Sequence, residues 1–199
     1  MIVDIHTHNE QTEAQTIVAV GIHPWRAVDA DLSAVEAKVA TADVVGEIGL
    51  DFACDTPREV QMAIFRAQLT LAERYEKGVV LHCVKAFEEV MKILSNFHLK
   101  TVIFHGFIGS KEQAQRAVAQ GYYLSFGERT FCSPKTIEAL RTTPLSQLFV
   151  ESDESTTPIE EIYAKLSELR GLSVAELTAA TEENFRRAIW SKKNPEGQR

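Results

Sequence analysis

The sequence predicts an α/β protein whose parallel strands close into a barrel, and three observations carry that expectation. Seven short apolar runs recur along the 199 residues, at 2–8, 16–23, 44–51, 79–84, 101–107, 122–127 and 148–153. They are rich in Val, Ile and Phe and lack clean alternation, as strands covered on both faces do. Longer segments of helical period separate most of them, and strand–helix alternation of this kind builds parallel sheets. No linker or low-complexity tract interrupts residues 1–190, so one domain is expected there. Seven or eight such units in one domain favour a barrel over an open sheet.

Each element has a local cause. Run 2–8 is followed by only seven residues, 9–15, before run 16–23. A parallel crossover normally needs a dozen or more. Seven extended residues span roughly 24 Å, enough to return as bare chain but not to include a helix. After run 44–51, Thr56-Pro57 opens the longest helix, with Val60, Ile64, Leu71 and Tyr75 on one face and Gly78 closing it. Runs 79–84 and 101–107 come next. Ser110 and Gln113 form a capping-box pattern for a helix that runs to Gly121. Run 122–127 leads to Ser133-Pro134, a helix start, and run 148–153 leads to Thr157-Pro158, another. The latter helix carries Ile159, Ile162, Leu166 and Leu169 and ends at Arg170-Gly171. Ser173 and Glu176 open a last helical region that reaches about Trp190, and 191–199 reads as a loose tail. A full eight-unit barrel takes about 250 residues. The best fit is therefore a shortened barrel lacking one βα unit after the first strand.

Composition excludes several classes. With 45% apolar and 25% charged residues, ten Gly and three Cys, the chain is neither disordered, collagen-like nor a disulfide framework. Cys54, Cys83 and Cys132 lack zinc-ribbon spacing and are expected as reduced thiols in a cytoplasmic protein. No apolar run approaches a membrane span, and Asp4, His6 and His8 interrupt any signal-peptide pattern. A net charge of −7 means that a polyanion would need local positive charge or a metal.

The chemistry gathers at strand ends. His6 and His8 end the first run, His23 the second, and Glu47 and Asp51 the third. His82 lies near the end of the fourth, His105 in the fifth and Asp153 at the end of the last. Active sites of parallel barrels are built on that face. Imidazole with carboxylate is a ligand set for a divalent metal. His6 and His8, two apart on a strand, point to one face. A single strand-end histidine is usually a hydrogen-bonded core residue; five of the six histidines at such ends are a pattern. His98, in a helix–strand connection, is assigned no role.

In order, Asp4-Ile-His6-Thr-His8, Gly21-Ile-His23-Pro24, Gly46-Glu47-Ile-Gly49-Leu50-Asp51, Leu81-His82-Cys83, Phe104-His105-Gly106-Phe107 and Val150-Glu151-Ser152-Asp153 resemble the motifs of the TatD-type metal-dependent hydrolases. Gln61, Phe65 and Gln68, the run Tyr123-Leu-Ser-Phe, and Thr181, Asn184 and Arg187 extend the likeness over nearly the whole chain. The resemblance implies a TIM-like parallel β/α barrel of the amidohydrolase superfamily with DNase or phosphoesterase activity. It implies two divalent ions, zinc, manganese or magnesium. His6, His8 and Asp153 would hold the first, His82 and His105 the second, with Glu47 bridging. His23 would contact a substrate phosphate, and Lys85 stands near the position of a family arginine. Departures fall outside the ligands: a βα unit between the first two strands is missing, Val84-Lys85 follows Cys83, Gly106-Phe107-Ile108-Gly109 follows His105, and Glu154 follows Asp153.

The implied reaction is hydrolysis by metal-bound hydroxide, with Asp153 as general base and Glu47 as the second catalytic carboxylate. Four metal charges against two carboxylates leave about +2, sufficient for a small phosphoester or the 3′ end of single-stranded DNA. Arg26, Lys85, Lys111 and Arg129 are candidate contacts for a longer strand, or solvated surface charge. Trp25 and Phe52 read as loop packing, with base stacking as the functional alternative. Cys83 should face the barrel wall and is not expected to be a nucleophile. Other readings are an amidohydrolase-type enzyme on a non-nucleic ester or amide, and a non-catalytic metal- or ligand-binding barrel. A missing unit leaves a sheet edge that a homo-oligomer would cover.

Overall fold

The computed structural model describes residues 1–9 and 12–190, so the tail expected at 191–199 lies outside the described residues. The chain divides into two compact units, Ile17–His105, and Met1–Thr16 together with the chain from Gly106 onward.

The central unit holds β1 (Ala19–Val20), α1 (Leu32–Val39), β2 (Val44–Asp51), α2 (Arg58–Arg74), β3 (Gly78–Val84), α3 (Phe87–Leu94) and β4 (Val102–Phe104). Its strands pair in parallel in the order β1-β2-β3-β4. β2 and β3 are nearly continuous apolar runs because helices cover them. Val45, Ile48, Leu50, Val79, Val80 and Leu81 are fully buried, as are Leu69 and Ala72 of α2 and Val90 and Ile93 of α3. Each buried Val, Leu or Ile among them contributes about 1.5–3 kcal/mol of transfer free energy.

The pairing of β2 with β3 shifts between Val45 and Ile48, so Gly46 and Glu47 together stand opposite Val80. This is a β-bulge, a device that re-aims side chains beside sites. Beyond it, Gly49 has a φ of +142°, and a Cβ there would collide with the carbonyl oxygen of His82. The strands carrying Glu47 and His82 approach this closely only around glycine.

The other unit holds α4 (Lys111–Ala119), β5 (Tyr123–Phe126), α5 (Pro134–Thr142), β6 (Leu148–Val150), α6 (Ile159–Arg170) and α7 (Val174–Phe185), with a π-helical turn at Arg186–Trp190. β5 and β6 pair in parallel. The expected helix signals operate here. Ser110 with Gln113 and Ser173 with Glu176 form complete capping boxes, Ser133 caps α5, and Gly171 ends α6 at φ +67°. Tyr163 of α6, fully buried, donates its hydroxyl hydrogen to the Val3 carbonyl at 2.8 Å, tying the first residues to the helix layer.

Two expectations change. Six strands form among the described residues rather than seven. The run 2–8 makes only isolated parallel bridges, Val3 with Gln15 and Thr7 with Asp153. Its backbone is nonetheless paired: Ile5 N–H donates to Val150 O, Asp153 N–H to His6 O and His8 N–H to Asp153 O. Asp153, in left-handed backbone at φ +54°, breaks the regular ladder. The second change concerns α2, which ends at Arg74: Glu76, at φ +52°, makes the left-handed turn, and Lys77 N–H returns to Ala72 O. That is a Schellman closure, and it leaves Gly78 free to begin β3. The bridge between Val3 and Gln15 brings parallel neighbours together across a very short connection, as the bare-chain return anticipated.

Candidate metal centre

In the central unit the candidate residues gather on one carboxylate. Glu47 sits in the bulge of β2, His82 lies on β3, His105 follows β4 and His23 follows β1. Glu47 Oε1 lies 2.6 Å from His82 Nδ1, 2.7 Å from His105 Nε2 and 3.3 Å from His23 Nε2. His82 Nδ1 and His105 Nε2 are themselves 3.3 Å apart.

Two buried glutamines on α2 set the strand ends. Gln61 accepts from Asp51 N–H at 2.8 Å and donates to the carbonyls of Asp51 and Thr56, also at 2.8 Å. One heptad on, Gln68 accepts from Ile22 N–H at 2.6 Å and donates to Ile22 O at 3.0 Å. Residues seven apart share a helix face, so one helix orders the backbone beside His23 and at Asp51.

A backbone donor assigns the proton position of His23. His23 Nδ1 accepts from Trp25 N–H at 3.3 Å, capping the 3-10 turn Pro24–Asp29. Its proton therefore sits on Nε2, facing Glu47. His82 has a carboxylate at each ring nitrogen, Asp51 Oδ2 at 3.4 Å from Nε2 and Glu47 Oε1 at 2.6 Å from Nδ1. The 2.6 Å approach of Nδ1 to a carboxylate oxygen requires a proton or a cation between them, and with the proton on Nε2, donated to Asp51, Nδ1 is the nitrogen that would ligate. Imidazole nitrogens and a carboxylate suit a divalent transition ion. Glu47 Oε1, His82 Nδ1 and His105 Nε2 lie within 3.3 Å of one another, so these residues fit such an ion.

Asp51 shapes this cluster from behind. Burial pushes its carboxyl up, but bonds from the Trp25 indole, the Ala53 N–H and His82 more than offset this and hold it below the usual carboxylate range. Sequence reasoning noted Asp51 at its strand end and gave it no role. The motif position was visible, but its partners lie 26 and 31 residues away.

In the other unit, Asp153 Oδ1 lies 3.9 Å from His6 Nε2 and 3.7 Å from His8 Nε2. The two imidazoles stand edge to face with centroids 5.1 Å apart. Asp4 anchors the arrangement: its carboxylate accepts from Ser152 N–H at 2.9 Å and from the Ser152 hydroxyl at 2.6 Å. Burial pushes the Asp4 carboxyl up to about 6, against the lowering effect of those bonds. Sequence reasoning missed this clamp between the first and last motifs.

Other candidates fall elsewhere. Lys85 is exposed one residue past β3, at φ +52°, and is not among the described groups gathered on Glu47. His98 is exposed, and its backbone N–H donates to Glu73 at 2.6 Å. Burial pushes the Cys83 thiol up to about 12, which suits a packing residue and not a nucleophile.

A family profile described as TatD related DNase matches residues 2–189. The chain belongs to the TatD family. Among its TatD relatives, the uncharacterized metal-dependent hydrolase YabD of Bacillus subtilis is 31% identical over 196 residues, covering 85% of this chain and 75% of that protein. The 3′-5′ ssDNA/RNA exonuclease TatD of Escherichia coli K12 is 28% identical over 195 residues, covering 83% of this chain and 75% of that protein. The crystal structure of YjjV, a TatD homolog from Escherichia coli K12, superposes with a TM-score of 0.78 at 28% identity, covering 90% of this chain and 78% of that one. The TatD fold is the TIM-like β/α type that the sequence predicts, and the chain is a member of a family of metal-dependent hydrolases.

Proposed function

We propose that this TatD-family chain is a divalent-metal-dependent phosphodiesterase acting on single-stranded or 3′-end DNA, as one catalytic domain over residues 1–190. The observation that carries the reading is the convergence of His82, His105 and His23 on Glu47 Oε1, at 2.6, 2.7 and 3.3 Å. The relative named as a 3′-5′ ssDNA/RNA exonuclease supports the substrate class. Glu47, His82 and His105 would hold one ion, and His6, His8 and Asp153 would hold another. Zinc, manganese and magnesium are the candidates.

Divalent ions supply Lewis acidity and an acidified water in such sites. The protein's own groups do the rest. With Asp153 Oδ1 turned to His6 and His8, its other oxygen takes the proton of the attacking water. His23 presents its Nε2 proton to a phosphate oxygen, because Nδ1 is already bound to Trp25 N–H. Lys85 offers a cation for the adjoining phosphate on a chain whose net charge of −7 otherwise repels a polyanion. Among the described residues no helix is long and apolar enough to cross a membrane.

The test is metal content with hydrolysis of a labelled single-stranded oligonucleotide. Two-metal catalysis predicts about two ions per chain in the wild type. His82→Ala and a His6→Ala/His8→Ala variant should each lose about one of these ions, and both should lose hydrolysis by about a hundredfold or more. Metal-loaded protein that cleaves carboxylic esters or amides but no phosphodiester would overturn the reading.

A further inference from the structure

Trp25 combines fixation with exposure. It lies in the 3-10 turn Pro24–Asp29, which Pro24 starts and His23 caps. Its indole Nε1–H donates to Asp51 Oδ2 at 2.7 Å, and its carbonyl accepts from the Thr56 hydroxyl at 3.3 Å. The ring is therefore held at its N–H edge, and the backbone is held beside it. Yet the residue is 58% exposed. A tryptophan used for packing buries most of its large apolar surface.

The orientation is equally specific. The Nε1–H bond lies in the ring plane, so the indole stands edge-on toward Asp51. Its plane is turned 74° from the His82 ring at a centroid distance of 6.1 Å, and 81° from the His23 ring at 4.6 Å. Phe52, the other aromatic beside Asp51, is covered by the Arg58 guanidinium 4.4 Å from its centroid. Trp25 is thus a rigid aromatic wall beside the histidines of the cluster.

We propose that Trp25 is a stacking wall for the nucleobase next to the scissile phosphate. The proposal rests on the phosphodiesterase reading above. A base lies one sugar away from its phosphate, a span that matches the step from the His82 ring to the indole. Stacking on an indole accepts any base, because every base presents a π-face. The predicted ligand is therefore a nucleotide of no fixed base identity, held by its phosphate at the cluster and by its ring at Trp25.

The chain has two tryptophans, so Trp190→Phe leaves Trp25 as the only indole fluorophore. In magnesium-loaded Trp190→Phe protein, thymidine 5′-monophosphate should quench the emission and 2-deoxyribose 5-phosphate should not. By calorimetry, Trp25→Ala should cut the preference for the nucleotide over the sugar phosphate by about tenfold, within the range of base–aromatic stacking. Trp25→Phe, which keeps a ring, should restore most of that preference. Emission indifferent to the base, or a preference unchanged in Trp25→Ala, overturns the proposal. Oligonucleotide cleavage by the wild type is scored separately. Base-dependent quenching without cleavage would remove the hydrolytic reading and keep the stacking wall. Cleavage with no effect of Trp25→Ala on base preference would remove the wall alone.

Discussion

One oxygen of Asp51 takes two donors, the Trp25 indole N–H at 2.7 Å and His82 Nε2 at 3.4 Å. A proton on His82 Nε2 in that contact leaves Nδ1 to bind an ion. Outer carboxylates of this kind typically change metal affinity by 10–100-fold when removed. Asp51→Asn should therefore weaken metal binding by about that factor in a chelator-competition titration, with Asp51→Glu recovering part of the loss. An unchanged affinity would show that His82 is oriented by other groups. At this scale the ligand types were legible in the sequence, because His6, His8, His23, Glu47, His82, His105 and Asp153 all fall at the ends of apolar runs. The partners that orient them were not. Asp4 meets Ser152 across 148 residues, and no local period encodes such a pairing.

Among the elements, helix starts read most clearly, since a cap and its N–H partner lie within three residues. Ser110, Ser133 and Ser173 each act as the sequence predicts. Strand ends read less well, because backbone pairing depends on a neighbour far along the chain; the 16–23 run shrinks to Ala19–Val20. The segment after Asp153 shows a further device. Glu128 accepts from the Ser155 hydroxyl at 2.6 Å and the Thr157 hydroxyl at 2.7 Å, and those bonds hold its carboxyl below the usual range. A depressed folded pKa means stability that is present above the unfolded value near 4.5 and lost as pH falls through the folded one. Hydrogen-exchange protection at 154–157, corrected for the intrinsic pH dependence of exchange, should thus fall as pH drops through the lowered pKa, and Glu128→Gln should show reduced protection already at pH 7. Equal protection in both proteins at pH 7 would exclude the clamp.

For the molecule as a whole, the sequence carried the fold class and the shortened first connection. It overcounted the strands, because apolar content in 2–8 does not reveal that Asp153 interrupts the ladder beside it. Ion binding should also register globally. An ion at a hundredfold excess over its dissociation constant adds about 2.7 kcal/mol, and a chain near this size gains roughly 2–4 °C per kcal/mol. Melting temperature should accordingly rise by roughly 5–10 °C when zinc or manganese replaces a chelator. A protein lacking His6, His8 and His82 should show no rise. A shift of the same size in that variant would place the stabilising ion elsewhere.

The bulge in β2 has a consequence for how this chain can vary. Because Gly46 and Glu47 share one partner, Val80, strand β2 is one residue longer than its neighbour over the same stretch. Removing either residue would leave one residue opposite Val80 and residues 48–51 still facing 81–84, so the ladder would become regular and the kink that re-aims Glu47 would be lost. A deletion here would spare the pairing of this strand and lose the aim of its carboxylate.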